Sequence, residues 1–177
     1  MKSILLSIKP KYVELIANGE KTIEVRKSAP KEVPFKAYIY ETKGATEMPW
    51  VDEDGHFIYK GRGQVIGEFI CNKVEVFSVG SLRCDDIEKL ACLSYTEMIN
   101  YFYKPEELDG NTAKFGYGWH ISDLKIYDKP KPIMQFYKPC PIEWKNCPGC
   151  EFYSTNTGCC MNNVDRPPQS WCYVEEL

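Results

Sequence analysis

Gly19-Glu20-Lys21-Thr22-Ile23-Glu24-Val25-Arg26 is the stretch on which the reading of this chain turns, because the chain changes period inside it. Upstream, Tyr12, Val13, Leu15 and Ile16 recur at helical spacing, and Pro10 fits the first turn of a helix running to Asn18. Gly19 stands where a helix ends in a left-handed turn that only glycine takes without strain. From Thr22 onward the residues alternate. As a strand, Thr22 to Arg26 sends Ile23 and Val25 to one face and Thr22, Glu24 and Arg26 to the other. Lys21 stands at the mouth of that polar face, so an ammonium, a carboxylate and a guanidinium are gathered at a helix-to-strand turn.

Two readings of the octet stand side by side. In one, Glu24 and Arg26 form an ion pair on a solvated sheet face, which contributes little to stability. In the other, the same groups line a cleft for an anionic or polar planar ligand, with Glu24 orienting Arg26.

Working outward, Ile4 to Ile8 and Ala37 to Glu41 read as strands. Residues 42–63, punctuated by glycine and proline, read as an irregular excursion with a short strand near His56 to Tyr59. Val65 to Phe77 reads as one long strand, bent near Cys71-Asn72. A helix is expected from Ser94 or Thr96, turning Met98, Ile99 and Phe102 inward and stopping at Lys104-Pro105. Residues 117–127 read as a final strand or strand pair. Strands and short helices without regular alternation indicate an α+β fold.

The chain has 177 residues, 44% hydrophobic, enough for a real core. No segment approaches the about 18 apolar residues of a membrane span, and Lys9-Pro10 interrupts the first apolar run before it resembles a leader core. A cytoplasmic protein without membrane contact is expected. Net charge is −3, which excludes a generic polyanion binder and leaves only a local patch for nucleic acid. Residues 1–43 carry a balance of +4 against −7 for the remainder, so the positive end is the motif end.

The pattern G-x-K-x-x-E-x-R, carried by Gly19, Lys21, Glu24 and Arg26 and preceded by Leu5-Leu6-Ser7-Ile8-Lys9-Pro10, resembles the signature of the ASCH domain family. Gly63-Gln64-Val65-Ile66-Gly67-Glu68-Phe69 resembles that family's central barrel strand, and Gly118-Trp119-His120-Ile121 its closing strand. The resemblance covers residues 1–137 and is nearest to small ASCH proteins of bacteria and their prophages that end in a cysteine-rich tail. It implies a PUA-like fold, a small mixed β-barrel with flanking short helices. It also implies a cleft for RNA or a nucleoside-like ligand, with Gly19, Lys21, Thr22, Glu24 and Arg26 as its residues. One branch of the family resembles an amidohydrolase on acylated cytidine that uses a lysine, a threonine and a glutamate. Lys21 matches that lysine, but Glu24 stands where the branch has threonine, and Ala91-Cys92-Leu93 where its acid is expected. Thr22 and Glu68 are displaced substitutes at best.

Residues 138–177 form an irregular cysteine-rich segment, with six of the nine cysteines in the last 38 residues. Cys147-Pro148-Gly149-Cys150 is a C-x2-C knuckle that lets two thiolates share one metal. Cys140 lies seven residues before it and Cys159 and Cys160 nine and ten after, so a tetrahedral zinc site can be closed locally, with Cys172 as a substitute. An iron-sulfur cluster and free thiols are the competing readings; disulfides are disfavoured in a chain read as cytoplasmic. With sulfur enough to fill the shell and no histidine in the tail, such a zinc is structural. Pro139, Pro141, Pro148, Gly149 and Gly158 break regular structure, and such a segment needs a staple. Cys71, Cys84 and Cys92 read as buried small hydrophobes.

The function expected is therefore an RNA- or modified-nucleoside-binding module. The alternatives are a nucleoside amidohydrolase or ribonuclease of the same fold, with Lys21 as base or anchor, and a protein-interaction adaptor whose motif is a structural ion pair. Aromatic residues make up 14% of the chain, and exposed rings hold single-stranded bases by stacking. Tyr12, Tyr38, Tyr40, Trp50 and Trp119 are the candidates beside the motif. His56 and His120 read as structural.

Overall fold

The computed structural model describes residues 1–43, 50–51, 57–58, 61–81, 84–107, 113–139 and 163–175. It is α+β. The elements along the chain are β1 (Lys2–Ile8), α1 (Pro10–Ala17), β2 (Ile23–Arg26), β3 (Phe35–Glu41), β4 (Trp50–Val51), β5 (Phe57–Ile58), β6 (Gln64–Cys71) and β7 (Val74–Ser78). Then follow α2 (Cys84–Ala91), α3 (Tyr95–Phe102), β8 (Phe115–His120), β9 (Ser122–Lys131) and β10 (Trp171–Val174).

Two compact units divide the chain. The first comprises Met1–Pro10, Lys36–Glu68 and Lys125–Leu177. Its framework is a five-stranded sheet in the order β10-β1-β3-β6-β9. β1 is an unbroken apolar run because it lies inside this sheet, with Ile4, Leu5 and Leu6 fully buried. β10 pairs with it antiparallel, Leu5 opposite Cys172 and Ser3 opposite Val174, so the end of the cysteine-rich segment is an edge strand. Ser7 Oγ donates to the carbonyl of Pro168 at 2.7 Å and extends that junction. Leu5, Tyr38, Tyr40, Val65, Phe136, Val164 and Val174 form the core, with Tyr38 and Phe136 edge to face at 4.9 Å. Pro130 is tolerated in β9 because that strand is at the edge.

The second unit comprises Lys11–Phe35 and Phe69–Leu124 and holds a three-stranded sheet, β2-β8-β7. β8 is central and antiparallel to both neighbours, placing Glu24 opposite Trp119 and Arg26 opposite Tyr117. Ile23, Val25, Phe77, Cys84, Ile87, Ala91, Met98 and Phe102 pack between this sheet and helices α2 and α3. Gly116 is required there: a Cβ on it would stand 2.4 Å from the Phe77 ring and 2.7 Å from that of Phe102.

Several sequence readings change in detail. The long strand expected over Val65 to Phe77 is two strands in different sheets, separated at Asn72-Lys73. Local bonds divert the chain there, Cys71 Sγ to the Lys73 carbonyl at 3.2 Å and Asn72 Nδ2 to Ser122 Oγ at 2.9 Å. Helix α2 was not foreseen; its buried face is Cys84, Ile87 and Ala91, a helical spacing hidden by counting Cys84 only as an isolated small hydrophobe. Helix α3 starts as expected, with Ser94 as its cap, and buries Met98 and Phe102. The strands foreseen as one barrel are distributed over separate sheets, none of which closes on itself among the described residues. Among those residues, no helix is long and apolar enough to cross a membrane.

Candidate functional site

Helix α1 ends by handing its last carbonyls to the motif. Gly19, at φ +76°, donates to Ile16, and both Glu20 and Lys21 donate their backbone N–H to Leu15, at 2.9 and 3.0 Å. Open space surrounds the position a Gly19 Cβ would take, so it is the left-handed turn and not close packing that calls for glycine here. Thr22 is exposed. Its N–H donates to the Leu90 carbonyl and its own carbonyl accepts from Ile121, both at 2.9 Å, so its backbone ties β2 between α2 and β8.

The solvated-face reading of Glu24 and Arg26 does not hold. Lys21, Glu24 and Arg26 are 2%, 6% and 7% exposed. Glu24 divides its carboxylate between the two cations: Oε2 lies 3.3 Å from Lys21 Nζ and Oε1 lies 2.8 Å from an Arg26 terminal nitrogen. Lys21 Nζ also donates to the Ala91 carbonyl at 2.7 Å and sits 5.3 Å from the centre of the Tyr12 ring. Each ion removed from water costs several kcal/mol before its partners compensate, so this arrangement is expensive unless it serves a purpose.

Two tyrosines border the charged row. Tyr12 donates to Glu97 Oε1 at 3.3 Å, and Lys11 Nζ meets the same oxygen at 3.0 Å. The other Glu97 oxygen accepts from the backbone and hydroxyl of Ser94, closing the capping box of α3. Glu97 is held down at about 2 by the Ser94 backbone bond, Lys11 and the Ser94 hydroxyl, whereas burial and then Glu97 push Tyr12 up to about 12. Tyr101 stands at the other end of β2. Its ring lies 5.2 Å from Lys27 Nζ, and its oxygen takes hydrogen bonds from the Lys27 backbone and the Arg26 side chain. Burial raises its pKa despite Arg26 nearby. An open depression of about 450 Å³, lined by Glu88, Lys89, Cys92, Leu93 and Ser94, lies on the α2–α3 turn that supplies the Ala91 carbonyl.

Of the aromatic candidates whose side chains are among the described residues, Tyr12 borders the triad. Trp119, opposite Glu24 on β8, is fully buried edge-on against Phe35, and Tyr38 and Tyr40 belong to the core of the five-stranded unit. The side chain of Trp50 and all of His56 lie outside the described residues. His120 Nε2 lies 3.2 Å from Glu75, which Lys73 also holds. Glu68, the displaced acid, accepts from Tyr127. Where the amidohydrolase branch has an acid, Lys21 meets the main-chain carbonyl of Ala91 instead. Glu97, Tyr101 and Ala91 were missed as site residues. Ser94-x-x-Glu97 was legible as a capping box, whereas nothing local marks Tyr101 or a backbone carbonyl.

The zinc ligands expected from spacing, Cys140, Cys147, Cys150, Cys159 and Cys160, lie outside the described residues. Cys172 is half-buried in β10 against the Leu5 and Tyr38 core, and burial pushes its thiol up. Cys71 and Cys84 are buried as expected and Cys92 half-buried. Among the described residues no group of three metal-ligating side chains occurs.

This is an α+β, PUA-like architecture, and comparison with known proteins agrees. The family model of the ASCH domain matches residues 6–152, and the chain belongs to that family. Among solved structures it is similar to the ASCH protein of Zymomonas mobilis, at 18% identity and TM-score 0.58, covering 99% of this chain and 89% of that one. A serine-to-alanine mutant of the same protein matches at 17% identity and TM-score 0.57, covering 99% and 89%. A tyrosine-to-phenylalanine mutant matches at 16% and 0.55, covering 99% and 92%. No curated protein matches the chain.

Proposed function

We propose that this ASCH domain is a binding module for RNA or a modified nucleoside, held by Lys21, Glu24 and Arg26. The observation that carries the reading is the burial of all three charges around one shared carboxylate. A structural ion pair gains little from that arrangement, whereas a ligand site gains donors locked in place before binding. Arg26 presents a planar fork to phosphate or a base edge, and Glu24 orients it or accepts from an exocyclic amine. Tyr12 supplies a ring beside the ammonium.

The enzymatic alternative is less well supported. A lysine acting as base needs an unengaged nitrogen, and Lys21 Nζ donates to Ala91 and pairs with Glu24. Titration of short single-stranded RNAs and of N4-acetylcytidine at two salt concentrations tests the binding reading. Saturable binding that weakens at least tenfold in Lys21→Ala and Arg26→Ala is expected, about the effect of one charged hydrogen bond. Binding that is absent, or unchanged in both variants, sinks it and favours the adaptor reading; loss of the acetyl group that requires Lys21 favours the hydrolase.

For the tail, cysteine spacing alone supports one structural zinc held by Cys140, Cys147, Cys150 and Cys159 or Cys160. About one zinc per chain, lost in Cys147→Ser, is the expected result of elemental analysis. Metal far below that, with reactive thiols throughout, refutes it.

A further inference from the structure

The exposed end of β2 holds an arrangement that the motif does not include. Tyr101 is 38% exposed, on α3, against Arg26, the last residue of the motif strand, and Lys27 just beyond it. A phenol oxygen has two lone pairs and one proton. Here the lone pairs are engaged by the Arg26 side chain and the Lys27 backbone N–H, and the O–H meets no acceptor among the described residues. The Lys27 ammonium rests 5.2 Å from the ring centre, and the ring is fixed edge-on by Phe102 at 5.0 Å. Burial raises the phenol's pKa, so it stays protonated and its O–H is there to donate. Arg26 is itself fixed by Glu24 at 2.8 Å.

Three donors of different kinds thus meet at one place: a guanidinium, an ammonium and a phenol O–H, two of them positive. A base edge is a planar mixture of donors and acceptors, and an all-donor cluster fits it poorly. It fits an oxygen-rich anion, whose several acceptor oxygens each take a hydrogen bond. We infer that Arg26, Lys27 and Tyr101 form a phosphate subsite, and that the ligand of the motif is a nucleotide or RNA strand bearing a phosphate and not a neutral nucleoside. This rests on the binding reading above and narrows it: Lys21 and Glu24 at the deeply buried end face the base or sugar, and Tyr101 at the rim selects the phosphate.

The test is calorimetric titration of the four ribonucleosides and their 5′-monophosphates against the intact chain, with Tyr101→Phe and Lys27→Gln. Tyr101→Phe keeps the ring and its Phe102 contact, and Lys27 is exposed, so both variants fold; circular dichroism verifies this. At least one monophosphate is expected to bind about tenfold or more tightly than its nucleoside, the worth of one hydrogen bond to a charged group. Tyr101→Phe removes most of that advantage, lowering monophosphate affinity by a larger factor than nucleoside affinity. Lys27→Gln lowers monophosphate affinity and flattens its dependence on salt. Equal binding of nucleoside and monophosphate, untouched by either variant, overturns the subsite while the binding reading stands. If no nucleoside, monophosphate or short RNA binds, both fall.

Discussion

Among the described residues, and tyrosines aside, the buried polar side chains in the unit of Met1–Pro10, Lys36–Glu68 and Lys125–Leu177 are Ser3 and Ser7, whereas the other unit sinks an ammonium, a carboxylate and a guanidinium. A hydroxyl is satisfied cheaply, as when Ser7 donates to the Pro168 carbonyl. An ion is not: its desolvation is recovered only by close partners in good geometry. One interior is therefore assembled for packing, around Tyr38, Phe136 and Val174, and the other gives up stability to hold charge in a fixed place. Where a fold violates the rule that charges stay wet, the violation marks the site.

Glu24→Ala breaks that contrast most severely. It leaves two buried cations without the carboxylate they share, and a loss of about 3–5 kcal/mol is expected in urea denaturation. Ser3→Ala, equally buried but uncharged, is expected to cost no more than about 1 kcal/mol. Replacing the triad together, Lys21→Met with Glu24→Leu and Arg26→Met, restores most of the stability and abolishes ligand binding. Similar small losses for Glu24→Ala and Ser3→Ala would show that the charges are solvated after all.

The motif strand was legible because the period changes at Lys21, and the grouping of Glu24 with Arg26 follows from alternation alone. Their burial was not legible. It depends on Trp119 of β8, Leu90 and Ala91 at the end of α2, and Tyr101 of α3, all remote in sequence and brought in by antiparallel pairing and helix packing. Charges two apart on a strand read the same whether or not another layer covers them. In the five-stranded sheet the apolar run of β1 announced its interior position, but nothing in Trp171 to Val174 announced that β1 would be its partner.

Two tyrosine–glutamate pairs sharpen the comparison at smaller cost. Tyr127 on β9 donates to Glu68 on the neighbouring β6, with Lys131 Nζ 4.7 Å from its ring, and burial, then the Glu68 bond, raises its pKa. Tyr12 donates to Glu97 with Lys21 Nζ 5.3 Å from its ring. The parts are alike, yet only one pair touches the buried triad. Tyr12→Phe and Tyr127→Phe are each expected to lose about 0.5–1.5 kcal/mol of stability, the net worth of one hydrogen bond. Only Tyr12→Phe, whose ring then lacks its anchor beside Lys21, is expected to weaken ligand binding, severalfold. An equal effect of both on binding would mean that the ligand does not read the triad.

The smallest expected effect is a pH dependence that begins at Glu97. The Ser94 backbone bond, then Lys11, holds its folded pKa at about 2, below the ordinary carboxylate value near ~4.3. A depressed carboxylate stabilises the fold above its unfolded pKa, and that stabilisation drains away as pH falls from about 4.5 toward 2. The side chain is 39% exposed, so solvent screening reduces the contribution to roughly 1 kcal/mol or less. Glu97→Gln keeps the shape of the capping box but cannot titrate. The stability gap between wild type and Glu97→Gln, from urea midpoints between pH 2 and 6, is therefore expected to be constant above about pH 5 and to narrow below it. Because folded Glu97 stays ionised until about pH 2, its anchoring of Tyr12, and with it ligand affinity, is expected to hold through the upper part of this window while the stability gap is already narrowing. A gap that stays constant down to pH 2 would show that the Ser94 and Lys11 contacts do not hold Glu97 below an ordinary carboxylate.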